Sequence, residues 1–318
     1  MTGPLPRAEA AVPRAEVNEA ALLLSLSARP VIWAGGGAIA AGAGRELGVV
    51  ADLLAAPVVT SVSGKGVLGE DNPLVVGSLF GASEVARLLG SADAGVAVGT
   101  TLSARSTRNG ALPLPMQLFH IDLDPGVFGR TYPTRLGIPG DAVAVLEALA
   151  GELRSRQSTG APRDREGQAA RVAEVKRAAR ERLAAASGGA VAVLDALRRA
   201  IPPAVPTVWD GETARWAVPL FRVGVPGTFH APARGAPVGS ALATAAAMAD
   251  SGPVVAVVSP AELEVVGSSS VAGGAASGQV VVAWDGGGPA GATLAVLGDE
   301  IAAALAGAGN RLIRLGAT

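Results

Sequence analysis

The sequence predicts an α/β protein made of two doubly wound domains, each built on a parallel sheet. Short apolar, strand-like runs alternate with helix-like runs along both halves of the chain, which is typical of parallel sheets covered by helices. The length of 318 residues suits two domains, since a soluble domain averages about 150 residues.

The first half shows the alternation in a regular order. Pro30 opens one apolar run and Pro57 opens the next, and an Ala-rich stretch with apolar residues at helical spacing lies between them. The predicted elements are a helix at 21–28, strands at 31–33 and 58–60, a helix at 82–90, strands at 94–98 and 117–121, and a helix at 141–152.

The second half repeats the plan without repeating the sequence. It contains predicted helices at 190–200, 238–249 and 293–307, and predicted strands at 206–209, 253–258, 279–283 and 311–315. We therefore divide the chain into a flexible lead-in at 1–20, a first domain at 21–152, a polar linker at 153–168 and a second domain at 169–318. The second domain opens with a charged helix at 169–186.

Composition narrows the classes of function. Charged residues make up 17% of the chain, against about 25% in typical proteins, and the net charge is −1, so nothing predicts a nucleic-acid partner. The absence of cysteine excludes disulfides, zinc–thiolate sites and cysteine nucleophiles. The sequence contains no apolar run of about 18 residues and no signal-peptide pattern, so we expect a cytoplasmic protein with no membrane partner.

One candidate ligand site follows from glycines at a strand end. Gly35, Gly36 and Gly37 lie between a strand and a helix, where the backbone can approach a ligand and helix N–H groups face it. A tight turn with no ligand explains the same run equally well. Thr100 and Asp122 also lie at strand carboxyl ends, where open α/β sheets bind ligands. These five residues form a candidate nucleotide cleft.

Three further polar residues have alternative interpretations. Lys65 lies between two glycines and is predicted as an exposed loop residue, with a phosphate contact as the alternative. His120 lies in an apolar strand and is predicted to be a structural histidine with satisfied hydrogen bonds. His230 lies in a Pro/Gly-rich loop, where a catalytic role lacks a carboxylate partner nearby in the sequence.

The first half resembles the central domain of thiamine diphosphate (ThDP) enzymes of the acetolactate synthase type. Matching stretches occur in the family's order and spacing at 29–37, 56–74, 92–100, 120–125 and 139–142. The resemblance implies an adenine-nucleotide cleft, which holds FAD in acetolactate synthases and ADP in oxalyl-CoA decarboxylases and is empty in other members. The segment at 77–81 lacks the histidine of the family's FAD loop, so the cofactor of this chain stays unknown.

The second half resembles the diphosphate-binding (PP) domain of the same enzymes at 210–217, 235–249 and 253–258. In the family a Gly-Asp-Gly motif follows the last of these stretches, and with a later asparagine pair it holds the Mg²⁺ that clamps ThDP. This sequence has Ser259-Pro260-Ala261 and, for the asparagine pair, Trp284-Asp285. Asp285 is a weak candidate for a metal ligand, and Glu262 or Glu264 could substitute only by chance.

The resemblance also implies a partner. The family's amino-terminal (PYR) domain carries the glutamate that activates ThDP, and we find no counterpart of it in this sequence. We therefore assign no catalytic residue and expect a non-catalytic or accessory subunit, which forms homo-oligomers or pairs with a PYR-domain protein. Two alternatives stay open: an active split enzyme acting on 2-oxo acids with PYR supplied in trans, and an adenine-nucleotide-binding protein.

Overall fold

The computed structural model describes residues 12–104, 106–157, 163–232, 235–267, 279–287, 291–307 and 310–315. The chain divides between Ala179 and Arg180 into two compact units. Each unit is an α/β structure built on a parallel sheet, which confirms the predicted fold class. No helix among the described residues is long and apolar enough to cross a membrane.

The first unit alternates strands and helices from its first helix onward. Its elements are α1 (Arg14–Leu26), β1 (Pro30–Ala34), α2 (Gly36–Ala40), α3 (Gly44–Leu54), β2 (Val58–Thr60), β3 (Val75–Gly77), α4 (Ser83–Gly90), β4 (Ala94–Val98), β5 (Gln117–Asp122), β6 (Leu136–Pro139), α5 (Ala142–Gln157) and most of α6 (Arg165–Ala186). The strands predicted at 58–60 and 94–98 have the bounds that the structure gives.

The sheet of the first unit has the order β3-β2-β1-β4-β5-β6, with every pairing parallel. All residues of β1 and β4 are buried, as expected for strands covered by helices on both faces. The chain adds β2 and β3 on one side of β1 and then returns to place β4 on the other side. The order therefore reverses between β1 and β4, and ligands of doubly wound sheets bind at such a switch point.

Both ends of the first unit are more ordered than the sequence predicted. Helix α1 begins at Arg14, inside the predicted lead-in at 1–20, because Val17 and Ala20 pack into the core. Helices α5 and α6 extend into both ends of the predicted linker at 153–168. Within that linker the Arg163 guanidinium donates to the carbonyls of Leu24 and Ser27 at 2.7 and 2.9 Å and so caps the end of α1.

The second unit is smaller and follows the same plan. Its elements are α7 (Ala190–Ala200), β7 (Thr207–Trp209), α8 (Gly211–Leu220), β8 (Phe229–His230), α9 (Ser240–Ala249), β9 (Val254–Val258), α10 (Pro260–Val266), β10 (Gln279–Trp284), α11 (Gly291–Ala306) and β11 (Arg311–Leu315). Helices α8 and α10 and strand β8 are additions to the predicted set.

The second sheet has the order β11-β10-β9-β7-β8, and again every pairing is parallel. Strands β9 and β10 are buried along their whole length. The order reverses between β7 and β9, because β8 lies on the outer side of β7. The carboxyl ends of β7 and β9 therefore form the switch point of this sheet.

Candidate functional site

Four predicted residues of the nucleotide cleft lie at the switch point of the first sheet. Gly35, Gly36 and Gly37 follow β1, and Thr100 follows β4. The two loops are joined by backbone hydrogen bonds, from Gly35 N to Val98 O and from Gly37 N to Gly99 O, each 2.9 Å long. Asp122 ends β5, one strand further along the same edge.

The two loops approach so closely that only glycine fits between them. A Cβ atom on Gly35 would lie 2.6 Å from Thr100 Cβ, and one on Gly37 would lie 2.9 Å from Gly99 Cα. Gly99 itself has a φ of +56°, which glycine adopts at little cost. We call this contact of Gly35, Gly37, Gly99 and Thr100 the glycine junction; it accounts for the glycines through packing of the chain against itself.

The polar residues beside the glycine junction make local bonds. Thr100 Oγ1 accepts from Leu102 N at 3.2 Å, and Asp122 Oδ1 accepts from Asp124 N at 3.0 Å. His120 Nε2 lies 2.7 Å from Thr100 O. Because a carbonyl oxygen only accepts, Nε2 carries the proton and Nδ1 is the unprotonated nitrogen.

His120 is buried, as predicted, but only one of its two ring nitrogens has a hydrogen-bond partner among the described residues. Nδ1 has no hydrogen-bond partner in the described part of the chain. Burial lowers the pKa of the imidazole, and the bond to Thr100 and the charge of Asp122 offset this effect only in part. The neutral ring is therefore the form that the fold favours.

Lys65 lies in the interior, which overturns the prediction of an exposed loop lysine. Its side chain is 1% exposed, and Nζ lies 2.6 Å from Glu70 Oε1. A Cβ on Gly77 would lie 3.1 Å from the same Glu70 oxygen, so the carboxylate is held against the end of β3. Lys65 therefore forms an internal ion pair with Glu70, in place of the exposed loop position or the phosphate contact that the sequence suggested.

At the switch point of the second sheet, one carboxylate joins the ends of β7 and β9. Asp210 is 3% exposed. Its Oδ1 accepts from Thr213 N at 2.7 Å and Thr213 Oγ1 at 2.6 Å. Its Oδ2 accepts from Ser259 N at 2.8 Å and from the Ser259 hydroxyl. Each carboxylate oxygen therefore accepts from a backbone N–H, and the Thr213 hydroxyl, which has one proton, lies within hydrogen-bond distance of both Oδ1 and Val257 O, the latter at 2.9 Å.

The segment Ser259-Pro260-Ala261 forms the start of helix α10 directly after β9. Ser259 caps the helix by accepting from Glu262 N, and Pro260 occupies the first turn, where its missing N–H costs nothing. Glu262 is 3% exposed, and its Oε1 accepts from Ala241 N at 2.9 Å and Leu242 N at 3.4 Å in the first turn of α9. We call Asp210, Thr213, Ser259 and Glu262 the carboxylate network.

The other predicted polar residues of the second unit lie outside this network. Asp285 follows β10, is exposed, and accepts from Gly287 N at 2.9 Å through Oδ1. His230 ends β8, and burial lowers the pKa of its imidazole, offset in part by a hydrogen bond with the Gly227 backbone. A search of the described residues finds no group of three histidine or acidic side chains that could hold a metal ion.

Sequence reasoning missed the parts played by Asp210 and Glu262. Asp210 and Ser259 are 49 positions apart, so their contact becomes visible only once β7 and β9 are known to be neighbours. A local signal for Glu262 was present: Ser259 followed three residues later by a glutamate is the pattern of a helix start.

Comparison with known proteins identifies the first unit. Residues 17–149 match the model of the thiamine pyrophosphate enzyme central domain. The first unit is therefore similar to the central domain of thiamine pyrophosphate (ThDP) enzymes. This agrees with the doubly wound order of the first sheet.

Relatives with curated names are similar over part of their length. A probable 2-ketoarginine decarboxylase of Pseudomonas aeruginosa is 36% identical over 186 residues, 58% of this chain and 32% of the relative. A probable acetolactate synthase large subunit of Methanocaldococcus jannaschii is 34% identical over 51% of this chain and 27% of the relative. The isozyme 3 large subunit of Escherichia coli acetolactate synthase is also 34% identical, over 48% of this chain and 27% of that subunit. The matches cover a third or less of each relative.

The described residues at the end of β9 do not fit the Mg²⁺ and diphosphate that the family implies. Mg²⁺ needs oxygen ligands in a near-octahedral set. Pro260 and Ala261 carry no side-chain oxygen, and the Ser259 hydroxyl is bonded to Asp210. Both oxygens of Asp210 already accept hydrogen bonds, from Thr213 and from Ser259.

The glycine junction also limits where an adenine nucleotide could fit in the first unit. The Gly37 N–H that would face a phosphate is bonded to Gly99 O, and the space beside Gly35 is filled by Thr100. The glycine junction therefore leaves no room for a phosphate between its two loops. The predicted nucleotide cleft of Gly35, Gly36, Gly37, Thr100 and Asp122 stays a prediction.

Proposed function

We propose that the protein is a non-catalytic, accessory member of the acetolactate synthase-like ThDP enzymes. The observation that carries this proposal is the buried Asp210 carboxylate at the switch point of the second sheet, where the family would bind Mg²⁺ and ThDP: both of its oxygens accept hydrogen bonds from Thr213 and Ser259. ThDP supplies the carbanion chemistry of these enzymes. A second unit that does not hold ThDP therefore has no such chemistry of its own.

The accessory role implies a partner, for which we propose a PYR-domain protein. Exposed apolar side chains near the start of α9 support this choice. Val238 is 56% exposed and Val265 is 67% exposed. Val265 lies beside Gly239, the residue that follows Val238, because a Cβ on Gly239 would lie 4.0 Å from Val265 Cγ1. Apolar groups that meet at a surface are typical of contact sites.

Calorimetric titration with ThDP and Mg²⁺ tests the proposal. We expect no metal-dependent binding to this chain, either alone or mixed with a candidate PYR-domain protein. The E. coli acetolactate synthase large subunit serves as the positive control under the same conditions. Tight Mg²⁺-dependent binding, together with consumption of a 2-oxo acid by the mixture, would replace the proposal with the active split enzyme.

A second candidate function belongs to the first unit. The reversal of strand order between β1 and β4 is the position at which doubly wound sheets bind nucleotides. We propose that any adenine nucleotide binds outside the glycine junction, on the side of Asp122. Flavin absorbance of the purified protein and titration with ADP test this, and D122N should weaken ADP binding if the proposal holds.

A further inference from the structure

We infer that Glu262 is a built-in anion that occupies the crevice at the carboxyl edge of the second sheet and keeps anionic ligands out. This inference rests on the proposed function and explains how the diphosphate position is lost, in addition to the metal position. Glu262 belongs to the first turn of α10, and its carboxylate contacts the first turn of α9.

Helices α8, α9 and α10 all begin at the carboxyl edge, and hydrogen bonds connect their first turns. Asp210 caps α8 and bonds to Ser259, which caps α10. Glu262, in the first turn of α10, bonds to the first turn of α9. A helix N-terminus carries about half a positive charge, so α8 and α9, the two helices of ten residues, together contribute about +1. Such a crevice attracts anions.

The buried Glu262 carboxylate is itself the anion that the start of α9 attracts. A carboxylate that is 3% exposed loses nearly all of its contact with water, which costs several kcal/mol unless donors replace the water. The N–H groups of Ala241 and Leu242 are those donors, and no cationic side chain forms a salt bridge with Glu262 among the described residues. The helix termini therefore stabilise Glu262 in the way that they would stabilise a bound anion.

The charge balance then excludes a second anion. Asp210 and Glu262 together bring two negative charges, which exceed the partial charge of about +1 from the termini of α8 and α9. A diphosphate would meet a net negative crevice and would have to displace the Glu262 carboxylate from the α9 amides. Glu264, two residues further along α10, is exposed and makes no such contact in the described structure. It therefore provides a control of equal charge on the same helix.

Removal of Glu262 tests the inference, with inorganic pyrophosphate as the probe. Wild-type protein and E264A should show no saturable response to pyrophosphate. E262A should melt at a lower temperature than E264A, and pyrophosphate should raise its melting temperature saturably. At 100 times the dissociation constant the rise should be about 5–10 °C. E262S also removes the carboxylate from the α9 amides, and it should show the same response if E262A does not fold.

Two results would overturn the inference. The first is equal stability of E262A and E264A, which would mean that the α9 amides do not hold Glu262. The second is destabilisation without any pyrophosphate response in either Glu262 variant, which would make Glu262 a structural cap only. The proposed function is judged separately, by ThDP and Mg²⁺ binding to the wild-type chain with a PYR-domain protein.

Discussion

The two units close the carboxyl edges of their sheets by different means. At the first edge, backbone meets backbone: Gly37 N bonds to Gly99 O, and the glycines leave no space between the loops. At the second edge, hydrogen bonds connect the starts of three helices. The buried carboxylates of Asp210 and Glu262 accept these bonds from backbone N–H groups. A glycine run can therefore serve packing rather than a ligand, and a lost metal motif can leave a filled crevice rather than an empty one.

The two means of closure make different demands on sequence. A junction of backbones is sensitive to one added carbon atom and insensitive to charge. A network of carboxylates tolerates small changes in volume but depends on charge and on hydrogen-bond acceptors. Substitutions that change size without charge, or charge without size, therefore test whether the two edges are closed by different means.

The largest effect is expected for Lys65→Met, which tests whether the first edge depends on charge as well. Removal of Lys65 takes its Nζ away from the Glu70 carboxylate, whose side chain is 10% exposed. Loss of one partner of a buried pair costs about 3–5 kcal/mol. Denaturant unfolding, with hydrogen exchange read on first-unit peptides, should report this loss. The double variant K65M/E70Q should recover much of it, and no recovery would show that Lys65 stabilises the fold by packing alone.

Gly99→Ala should give the next largest effect, through size alone. The new Cβ would lie 2.6 Å from Gly37 C, and the residue would keep a φ of +56°. Overpacking and left-handed backbone together cost about 2–5 kcal/mol. Gly42 is the matched control, because it has a φ of +69° and open space around its Cβ position. Gly42→Ala should cost about 1–2 kcal/mol, and equal losses in the two variants would disprove the steric role of the glycine junction.

Asp210→Asn should lower the free energy of unfolding by about 2–3 kcal/mol. The side-chain NH₂ of the new asparagine would face the N–H of Thr213 or Ser259, so two donors would meet where the carboxylate accepts a hydrogen bond. The control is Asp285→Asn, which lies at the same edge but is exposed, so its effect should stay within about 0.5 kcal/mol. Thermal unfolding of the two variants makes the comparison. A loss at Asp285 as large as that at Asp210 would contradict the assignment of the network.

Much of the fold could be predicted because its signals are local. Strands at 58–60, 94–98 and 311–315 and the helix at 190–200 have the predicted bounds, since apolar runs with proline, glycine or polar residues at their ends define them. Strand β8 has only two residues and gives no period that could be recognised. Helix α10 was missed because its seven residues are too few to show a helical period, although Ser259 and Glu262 carry its capping signal.

The site was less predictable than the fold, for a physical reason. Gly35, Gly37 and Thr100 were correctly placed at strand ends, but their contact depends on the distance between two loops, which no local pattern specifies. Lys65 was expected at the surface because lysines are rarely buried unless they are paired. Its partner Glu70 is only five residues away, yet nothing in the spacing shows that both side chains turn inward.

The smallest effect concerns pH, and it compares the two histidines of the chain, one in each unit. Burial lowers the pKa of both His120 and His230 in the folded chain, whereas unfolding returns each ring to its ordinary pKa of about 6.5. The unfolded chain therefore binds protons first as the pH falls through this value. The stability contributed by the neutral rings is fully present above about pH 6.5 and is lost below it.

Glutamine at either position should flatten this dependence. We expect H120Q to reduce the loss of melting temperature between pH 7 and pH 5 in the first unit, with H230Q acting on the second unit and the double variant acting on both. Hydrogen exchange on peptides from each unit separates the two effects. If H120Q leaves the pH dependence of the first unit unchanged, then its acid sensitivity arises elsewhere. Asp93 acts at lower pH: burial raises the pKa of its carboxyl, but hydrogen bonds from Ser27, Arg29 and Ala28 outweigh that effect and lower it. Its contribution to stability is therefore present above the ordinary carboxyl pKa of about 3.9 and is lost below it.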